Sequence, residues 1–241
     1  MLEDKPLKET TKPLQDSEAV CQKIIEKSQE TGWVLEPDAK AMMASFGLDI
    51  PRFVLTDDIE TASSFLAQLK APVVAKAVSK KILHKTEYNA VAINIHSQEA
   101  LTEQMERLLS LEGCQSVLVE EMIPGIELIV GAKNDFQFGP VVVFGLGGTA
   151  VEIYNDTAVR MAPLTPEDVS SMVTSLTARD VIYGYRGRHG VNLDALTRLM
   201  IDFSHLIMQI EDHIDSVDLN PVICTLDRCV VADARIILAG D

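Results

Sequence analysis

Apolar positions recur with a helical spacing in some segments of the chain and form short continuous runs in others. The helical spacing predicts helices over residues 17–29, 37–46, 57–70 and 166–175. It also predicts a helix capped by Ser97 and another that begins near Asn192. The apolar runs predict strands over residues 53–55, 72–78, 90–95, 117–122, 126–132, 141–144, 150–154, 216–219 and 230–237. Ser17 is the expected N-cap of the first helix, and Gly32 is expected to end it.

The order of these elements predicts two lobes with a cleft between them. Helices alternate with strands up to about residue 115, and an antiparallel sheet with helices follows. We predict a flexible lead-in over residues 1–16, a first lobe with a leading helix over residues 17–115, and a second lobe over residues 116–241. The strand Val117 to Met122 is the expected hinge. The fold class is therefore α/β, built from two α+β lobes.

Composition narrows the classes of partner. The chain has 241 residues, a net charge of -15 and 47% hydrophobic residues, which is typical of a globular protein. The acidic balance argues against nucleic acid and anionic membranes, but a few local cations could still hold a nucleotide. No apolar run reaches the roughly 18 residues that a membrane helix needs, and the first residues lack the apolar core of a signal peptide. A cytoplasmic location is the default expectation.

The four cysteines do not form a CxxC pair. Cys224 and Cys229 flank a predicted hairpin turn, so their spacing leaves a disulfide or a metal open as readings. Buried free thiols are the usual state of cysteines in a cytosolic protein, and we favour that interpretation.

A glycine-rich stretch between residues 135 and 164 carries the most distinctive local pattern. It contains Gly145, Gly147 and Gly148, followed by Glu152, Asp156 and Arg160. Glycine lacks a Cβ atom and permits positive φ, so successive N–H groups could cradle a phosphate. The alternative is a β-meander with a glycine bulge and surface charges.

Two basic positions are candidates for phosphate chemistry. Lys76 lies in the middle of an apolar strand, where its ammonium group is costly to bury unless an anion or an acid meets it. The alternative is an edge strand with Lys76 pointing to water. His84 lies in a polar loop over residues 79–89, which could equally be a solvated turn without a role.

Several separated pieces together resemble one family. They are VVAKAV, ILHKTE, VLVEEMIPGIELIVG, DFQFGPVVVFGLGGTAVEIYNDTAVRMAPL, GYRG, DLNP and VVADARI. Their order and spacing resemble the ATP-grasp subunit of the NDP-forming acyl-CoA synthetases, the β subunit of ADP-forming acetate–CoA ligase. The resemblance covers about residues 18–238. It implies an ATP-grasp fold that clamps ATP or ADP between two lobes.

The resemblance also implies roles for individual residues. Lys76 would meet the nucleotide phosphate, His84 would carry a phosphoryl group, and Arg160 would neutralise charge on that group. The adenine would lie against the hinge at Glu120, Glu121 and Met122, with Glu127 a candidate for the ribose. Mg²⁺ would be held by Asp218, Asn220 and Asp233. The partner's phosphohistidine loop would dock at Gly145, Gly147 and Gly148.

The chain departs from the family pattern in one loop. After the histidine the family usually has two glycines before a valine, whereas this chain has Asn89 and Ala90. If those glycines use positive φ or let phosphate approach the backbone, Ala90 would hinder it.

Two functions therefore remain open at this point. The first is the nucleotide-binding subunit of an ADP-forming acyl-CoA synthetase, acting with a CoA-binding α subunit on a separate chain or fused domain in a heterotetramer or larger assembly. A phosphohistidine relay through His84 would link the two. The second is a nucleotide-sensing, non-catalytic partner of an acyl-CoA enzyme, for which Asn89 and Ala90 would be the first sign.

Overall fold

The computed structural model describes residues 14–147 and 156–240 as helices packed on two antiparallel sheets. The helices are α1 (Leu14–Ser28), α2 (Glu36–Ser45), α3 (Ile59–Leu69), α4 (Gln98–Leu109), α5 (Pro166–Ser175), α6 (Arg179–Tyr183) and α7 (Leu193–Ile210), which runs into a 3-10 turn (Glu211–His213). The strands are β1 (Trp33–Val34), β2 (Phe53–Thr56), β3 (Val73–Ser79), β4 (Val91–Ile95), β5 (Cys114–Glu121), β6 (Ile126–Asp135), β7 (Gly139–Leu146), β8 (Thr157–Met161), β9 (Ile214–Cys224), β10 (Cys229–Val231) and β11 (Arg235–Leu238).

The smaller sheet has the order β2-β5-β3-β4 and forms one lobe with α3 and α4. Side chains of the two helices, among them Leu66, Leu101 and Met105, pack on Ala75 and Val119 of the central strands. The predicted cap at Ser97 is confirmed, because its side chain accepts a hydrogen bond from the Ala100 N–H.

The larger sheet has the order β1-β11-β9-β6-β7-β8, and β10 pairs with the end of β9. The apolar stripe of α7 is buried against it, as its spacing predicts, with Phe203 and Leu206 fully enclosed. Asn192 caps this helix by accepting from the Ala195 N–H. No helix of the described residues is long and apolar enough to cross a membrane.

The two lobes divide the chain differently from the predicted boundary at residue 115. Helices α1 and α2 bury Ile24, Ile25 and Met42 in the core of the larger sheet, so the leading segment belongs to the second lobe. Strand β5 pairs on both sides within the smaller sheet, where Val119 lies opposite both Val54 and Ala75. The chain therefore crosses between the lobes twice, at residues 46–52 and again at residues 122–125. The second crossing comes after the strand predicted as the hinge.

Three local predictions also differ from the structure. Ser17 does not cap α1, because the helix begins at Leu14 and the Ser17 hydroxyl donates to the Ser45 carbonyl at 2.6 Å. Strand β9 continues past Asp218 to Cys224, so Asp218 lies inside the strand. The strand predicted over residues 230–237 is interrupted at residues 232–234. The predicted strand 150–154 and most of the lead-in lie outside the described residues.

Candidate functional site

A cluster of charged side chains lies where α2, the smaller sheet and the end of the larger sheet meet. Its members are Glu36, Lys40, Lys76, Lys85, Glu120 and Asp233. The Lys76 Nζ atom lies 2.7 Å from carboxylate oxygens of both Glu36 and Glu120, and 2.7 Å from the Ala232 carbonyl. Lys76 is therefore neither water-facing nor unpaired, because acids from both lobes meet its ammonium group.

The remaining lysines complete the cluster. Lys40 is fully buried and forms ion pairs with Glu36 at 3.0 Å and with Glu120. Lys85 approaches Glu36 at 2.7 Å and Asp233 at 3.4 Å. Three ammonium groups thus face three carboxylates, and the cluster is neutral when all six are ionised. Buried charges are tolerated only when they are paired in this way.

The pairing favours the ionised forms of Glu36 and Lys76. Burial opposes ionisation of Glu36, but Lys76, Lys40 and Lys85 outweigh it and hold the pKa of Glu36 well below its ordinary value. Burial likewise disfavours the charged form of Lys76, yet the neighbouring carboxylates raise the Lys76 pKa well above its ordinary value. The pKa of Asp233 is raised, first by burial and then by the nearby Glu36 carboxylate.

Beside the cluster lies a cavity of about 180 Å³. Its lining includes predicted site residues that lie far apart in the sequence. His84, Lys85, Asp218, Asp233 and Arg235 are among its lining residues. Arg235 approaches His84 Nδ1 at 3.2 Å and Asp218 at 3.3 Å, so it bridges the two. Because a guanidinium group only donates, Nδ1 accepts in this contact. A wider depression of about 690 Å³ along α5 has no basic side chain in its lining.

In the loop that departs from the family pattern, the backbone at Asn89 and Ala90 has a conformation that both side chains permit. Asn89 adopts a left-handed φ of 49°, which asparagine tolerates better than most residues. Ala90 is fully buried, its N–H donates to the Lys85 carbonyl and its carbonyl accepts from Ala77. Ala90 therefore continues the sheet, and its backbone is not turned toward a ligand.

The segment predicted to hold adenine is engaged within the protein. The Glu120 carboxylate belongs to the charged cluster, and Glu121 binds Arg52 and Arg228. The backbone N–H of Glu121 donates to the Arg52 carbonyl at 2.9 Å, and that of Met122 donates to the Pro72 carbonyl at 3.0 Å. These two backbone donors are thus already used in this conformation.

Glycine is required at positions 145 and 147 because neighbouring backbone lies too close to leave room for a Cβ atom. A Cβ atom on Gly147 would lie 2.8 Å from the Glu127 carbonyl carbon, and one on Gly145 would lie 2.7 Å from the Asp156 carbonyl oxygen. The Gly147 N–H donates to the Glu127 carbonyl at 2.7 Å. Neither glycine has positive φ, so an anion cradle at these two is not supported. Gly148 and Glu152 lie outside the described residues.

Two charged residues of the same stretch lie away from the cavity. Arg160 pairs in register with Val142, which is buried beneath the helices, so Arg160 lies on the helix-covered face and donates to Ser171 at 2.6 Å. Asp218 occupies the opposite face. The Asp156 carboxylate accepts from the backbone N–H groups of residues 177 and 178. A role for Arg160 at the phosphoryl group is therefore not supported.

Comparison with known proteins identifies the family. The ATP-grasp domain family matches residues 26–238. The chain belongs to the ATP-grasp family. It is 35% identical over 232 residues to the acetate–CoA ligase [ADP-forming] I subunit beta of Pyrococcus furiosus, covering 92% of this chain and 100% of that relative. The predicted family and fold are thereby confirmed.

The chain is also similar to a longer relative in sequence and to a solved relative in structure. Acetate–CoA ligase [ADP-forming] II of Archaeoglobus fulgidus is 32% identical over 206 residues, which are 85% of this ATP-grasp chain but 30% of that relative. A solved structure superposes with a TM-score of 0.78 at 34% identity, covering 90% of this chain and 99% of the other. That structure is the dinucleotide-forming acetyl-coenzyme A synthetase 1 of Ca. Korarchaeum cryptofilum with coenzyme A and Mg-AMPPCP, its phosphohistidine segment pointing towards the nucleotide binding site.

The predicted Mg²⁺ ligands supply suitable oxygen donors. Asp218 and Asn220 are two residues apart on β9, and Asp233 lines the same cavity as Asp218. The described residues contain no group of three acidic, histidine or cysteine side chains placed to hold a metal. Phosphate oxygens and water would complete the coordination, as is usual for Mg²⁺. A metal at Asp233 would replace its ion pairs with Lys76 and Lys85.

Sequence reasoning missed Glu36, Lys40, Lys85 and Arg235 as site residues. Glu36 and Lys40 are four residues apart on α2, a spacing that ordinarily indicates a solvated surface pair. Arg235 lies opposite Asp218 in the β11–β9 ladder, which only the register reveals.

Proposed function

We propose that this ATP-grasp chain is the nucleotide-handling β subunit of an ADP-forming acyl-CoA ligase. The net reaction is acyl-CoA + ADP + phosphate ⇌ carboxylic acid + CoA + ATP. The single observation that carries the proposal is the cavity in which His84, Lys85, Asp218 and Asp233 meet beside the buried Lys76. Phosphoryl transfer depends mainly on positioning and on neutralising charge, and these are the side chains it requires.

In this proposal His84 is the phosphoryl carrier of the chain. Its exposed imidazole reaches the cavity and is oriented by Arg235 at 3.2 Å. A neutral imidazole is nucleophilic through its unprotonated nitrogen and can pass a phosphoryl group on. With Nδ1 accepting from Arg235, that nitrogen is Nδ1, so the Arg235 contact would have to break before His84 accepts the phosphoryl group. A CoA-binding α partner would form the acyl phosphate and deliver its phosphoryl group through its own histidine. His84 would then transfer that group to ADP in the cleft.

The cluster residues would bind and orient the nucleotide. Lys76 would meet the phosphates of ADP, which compete with Glu36 and Glu120 for its ammonium group. Asp218, Asn220 and Asp233 would hold Mg²⁺, which neutralises phosphate charge when it is bound. The adenine would lie near Glu120, Glu121 and Met122 at the end of β5, with Glu127 at the ribose.

The names and lengths of the relatives support a CoA-binding partner for this chain. Two-chain relatives carry the name subunit beta, and a relative of which this chain covers 30% leaves room for a fused CoA-binding part. A heterotetramer and a cytoplasmic location stay predictions. The non-catalytic sensor is not favoured, because relatives that are similar over nearly the whole chain are named as subunits of a ligase.

The test is phosphorylation of the purified chain by ATP–Mg²⁺, with and without its candidate α partner. We expect an acid-labile phosphate on His84. The variant His84→Asn should lose the label and net ATP formation while keeping its ADP affinity within about threefold in calorimetry, since less than about 0.7 kcal/mol of binding is at stake. His189→Asn, at an exposed histidine outside the cavity, is the matched control and should behave as the wild type.

Two outcomes would contradict the relay. Absence of label on the wild-type chain together with normal ADP binding would favour a nucleotide sensor. Loss of ADP binding in His84→Asn would make His84 a contact of the nucleotide and not a carrier.

A further inference from the structure

The Lys40 side chain is buried where no nucleotide can reach it. It is 0% exposed, and its ion pairs among the described residues are with Glu36 and Glu120. The lining of the cavity includes Glu36 but not Lys40. A lysine is expensive to bury, and its ammonium group is tolerated here because two buried carboxylates meet it.

The two carboxylates that bind Lys40 are the same two that hold Lys76. Glu36 lies 3.0 Å from Lys40 and 2.7 Å from Lys76, and Glu120 binds both lysines as well. Two ammonium groups and two carboxylates therefore alternate around a closed ring. Glu36 and Lys40 come from α2 in one lobe, whereas Lys76 and Glu120 come from adjacent strands of the other.

We propose that Lys40 is a positioning residue, which balances the charge of Glu36 and Glu120 so that Lys76 is held at the cleft and yet remains available to the phosphates of ADP. The inference rests on the proposed function and extends it to a residue that cannot touch the substrate. Lys40 leaves the ring with equal numbers of positive and negative groups. Incoming phosphates can then compete for Lys76 without facing a surplus of carboxylate charge.

The proposal predicts that the affinity for MgADP depends on the charge of the side chain at position 40 and not on its shape. Without the Lys40 ammonium, three carboxylates (Glu36, Glu120 and Asp233) face two lysines (Lys76 and Lys85). Glu36 and Glu120 then bind Lys76 more tightly, and the site carries one extra negative charge that repels phosphate. At an effective dielectric constant of about 20, one unit charge at about 8 Å changes binding by tenfold or more.

The experiment measures binding of MgADP to the full chain by calorimetry in four forms. They are the wild type, Lys40→Met, Glu120→Gln and the double variant. Lys40→Met removes the charge at similar volume and should weaken binding about tenfold. Glu120→Gln leaves one surplus positive charge and should tighten binding. The double variant is neutral again and should bind MgADP within about threefold of the wild type, because the weakening by Lys40→Met and the tightening by Glu120→Gln offset each other.

A structural role for Lys40 gives a different pattern. The double variant would then bind more weakly than either single variant, which would overturn the proposal, as would unchanged binding by Lys40→Met. If Lys40→Met does not fold, the comparison of the double variant with Glu120→Gln decides. Binding about tenfold weaker in the double variant supports the proposal, and equal binding overturns it. Failure of the wild type to bind MgADP would contradict the proposed function, independently of Lys40.

Discussion

Replacing Lys76 by methionine should destabilise the folded chain, because it leaves a surplus carboxylate in a buried cluster. Glu36 and Glu120 are each at most 3% exposed and both lie 2.7 Å from the Lys76 ammonium. Removing one partner of a buried ion pair costs about 3–5 kcal/mol. Lys40 and Lys85 remain to neutralise part of the charge, so we expect about 3 kcal/mol, at the lower end of that range.

Urea unfolding followed by the fluorescence of Trp33, the one tryptophan of the sequence, measures this loss. Lys133→Met is the matched control, since Lys133 is an exposed lysine in β6 and its loss should change the free energy of unfolding by less than about 0.5 kcal/mol. Adding Glu120→Gln to Lys76→Met restores neutrality and should recover at least about 1 kcal/mol. The reasoning is refuted if Lys76→Met is as stable as the control, or if the second change lowers stability further.

Two further predictions concern the glycine-rich stretch. Gly147→Ala would bring a Cβ atom to 2.8 Å from the Glu127 carbonyl carbon, so we expect a loss of about 2 kcal/mol and a Tm lower by about 4–8 °C. Gly240→Ala, where the added atom meets nothing within 4 Å, is the control for scanning calorimetry. Arg160→Met should leave MgADP affinity within about twofold of the wild type, and a tenfold loss would contradict its position on the helix-covered face.

Local sequence patterns determined most of the elements. The stripe of α7 was readable because burial of one helix face imposes its period on the sequence. The cap at Ser97 was readable because a side chain that satisfies nearby N–H groups acts within a few residues. Ser17 shows the limit of this argument, since its hydroxyl binds a carbonyl 28 residues away instead.

The family was also determined by sequence, because long motifs in a fixed order carry more information than any one of them. The glycines at positions 145 and 147 were predicted to cradle a phosphate, and their docking role stays a prediction. Their sequence could not show what approaches, which is the neighbouring backbone at Glu127 and Asp156.

Only the tertiary structure decided which groups meet at the site. The sequence predicted that a lysine among valines needs an anion, but the partners of Lys76 include Glu36, 40 residues away, and the Ala232 carbonyl, 156 residues away. Strand register alone separated Arg160 from Asp218 and joined Arg235 to it. Local patterns record whether a position is buried, whereas the identity of its neighbours across two lobes depends on how the whole chain packs.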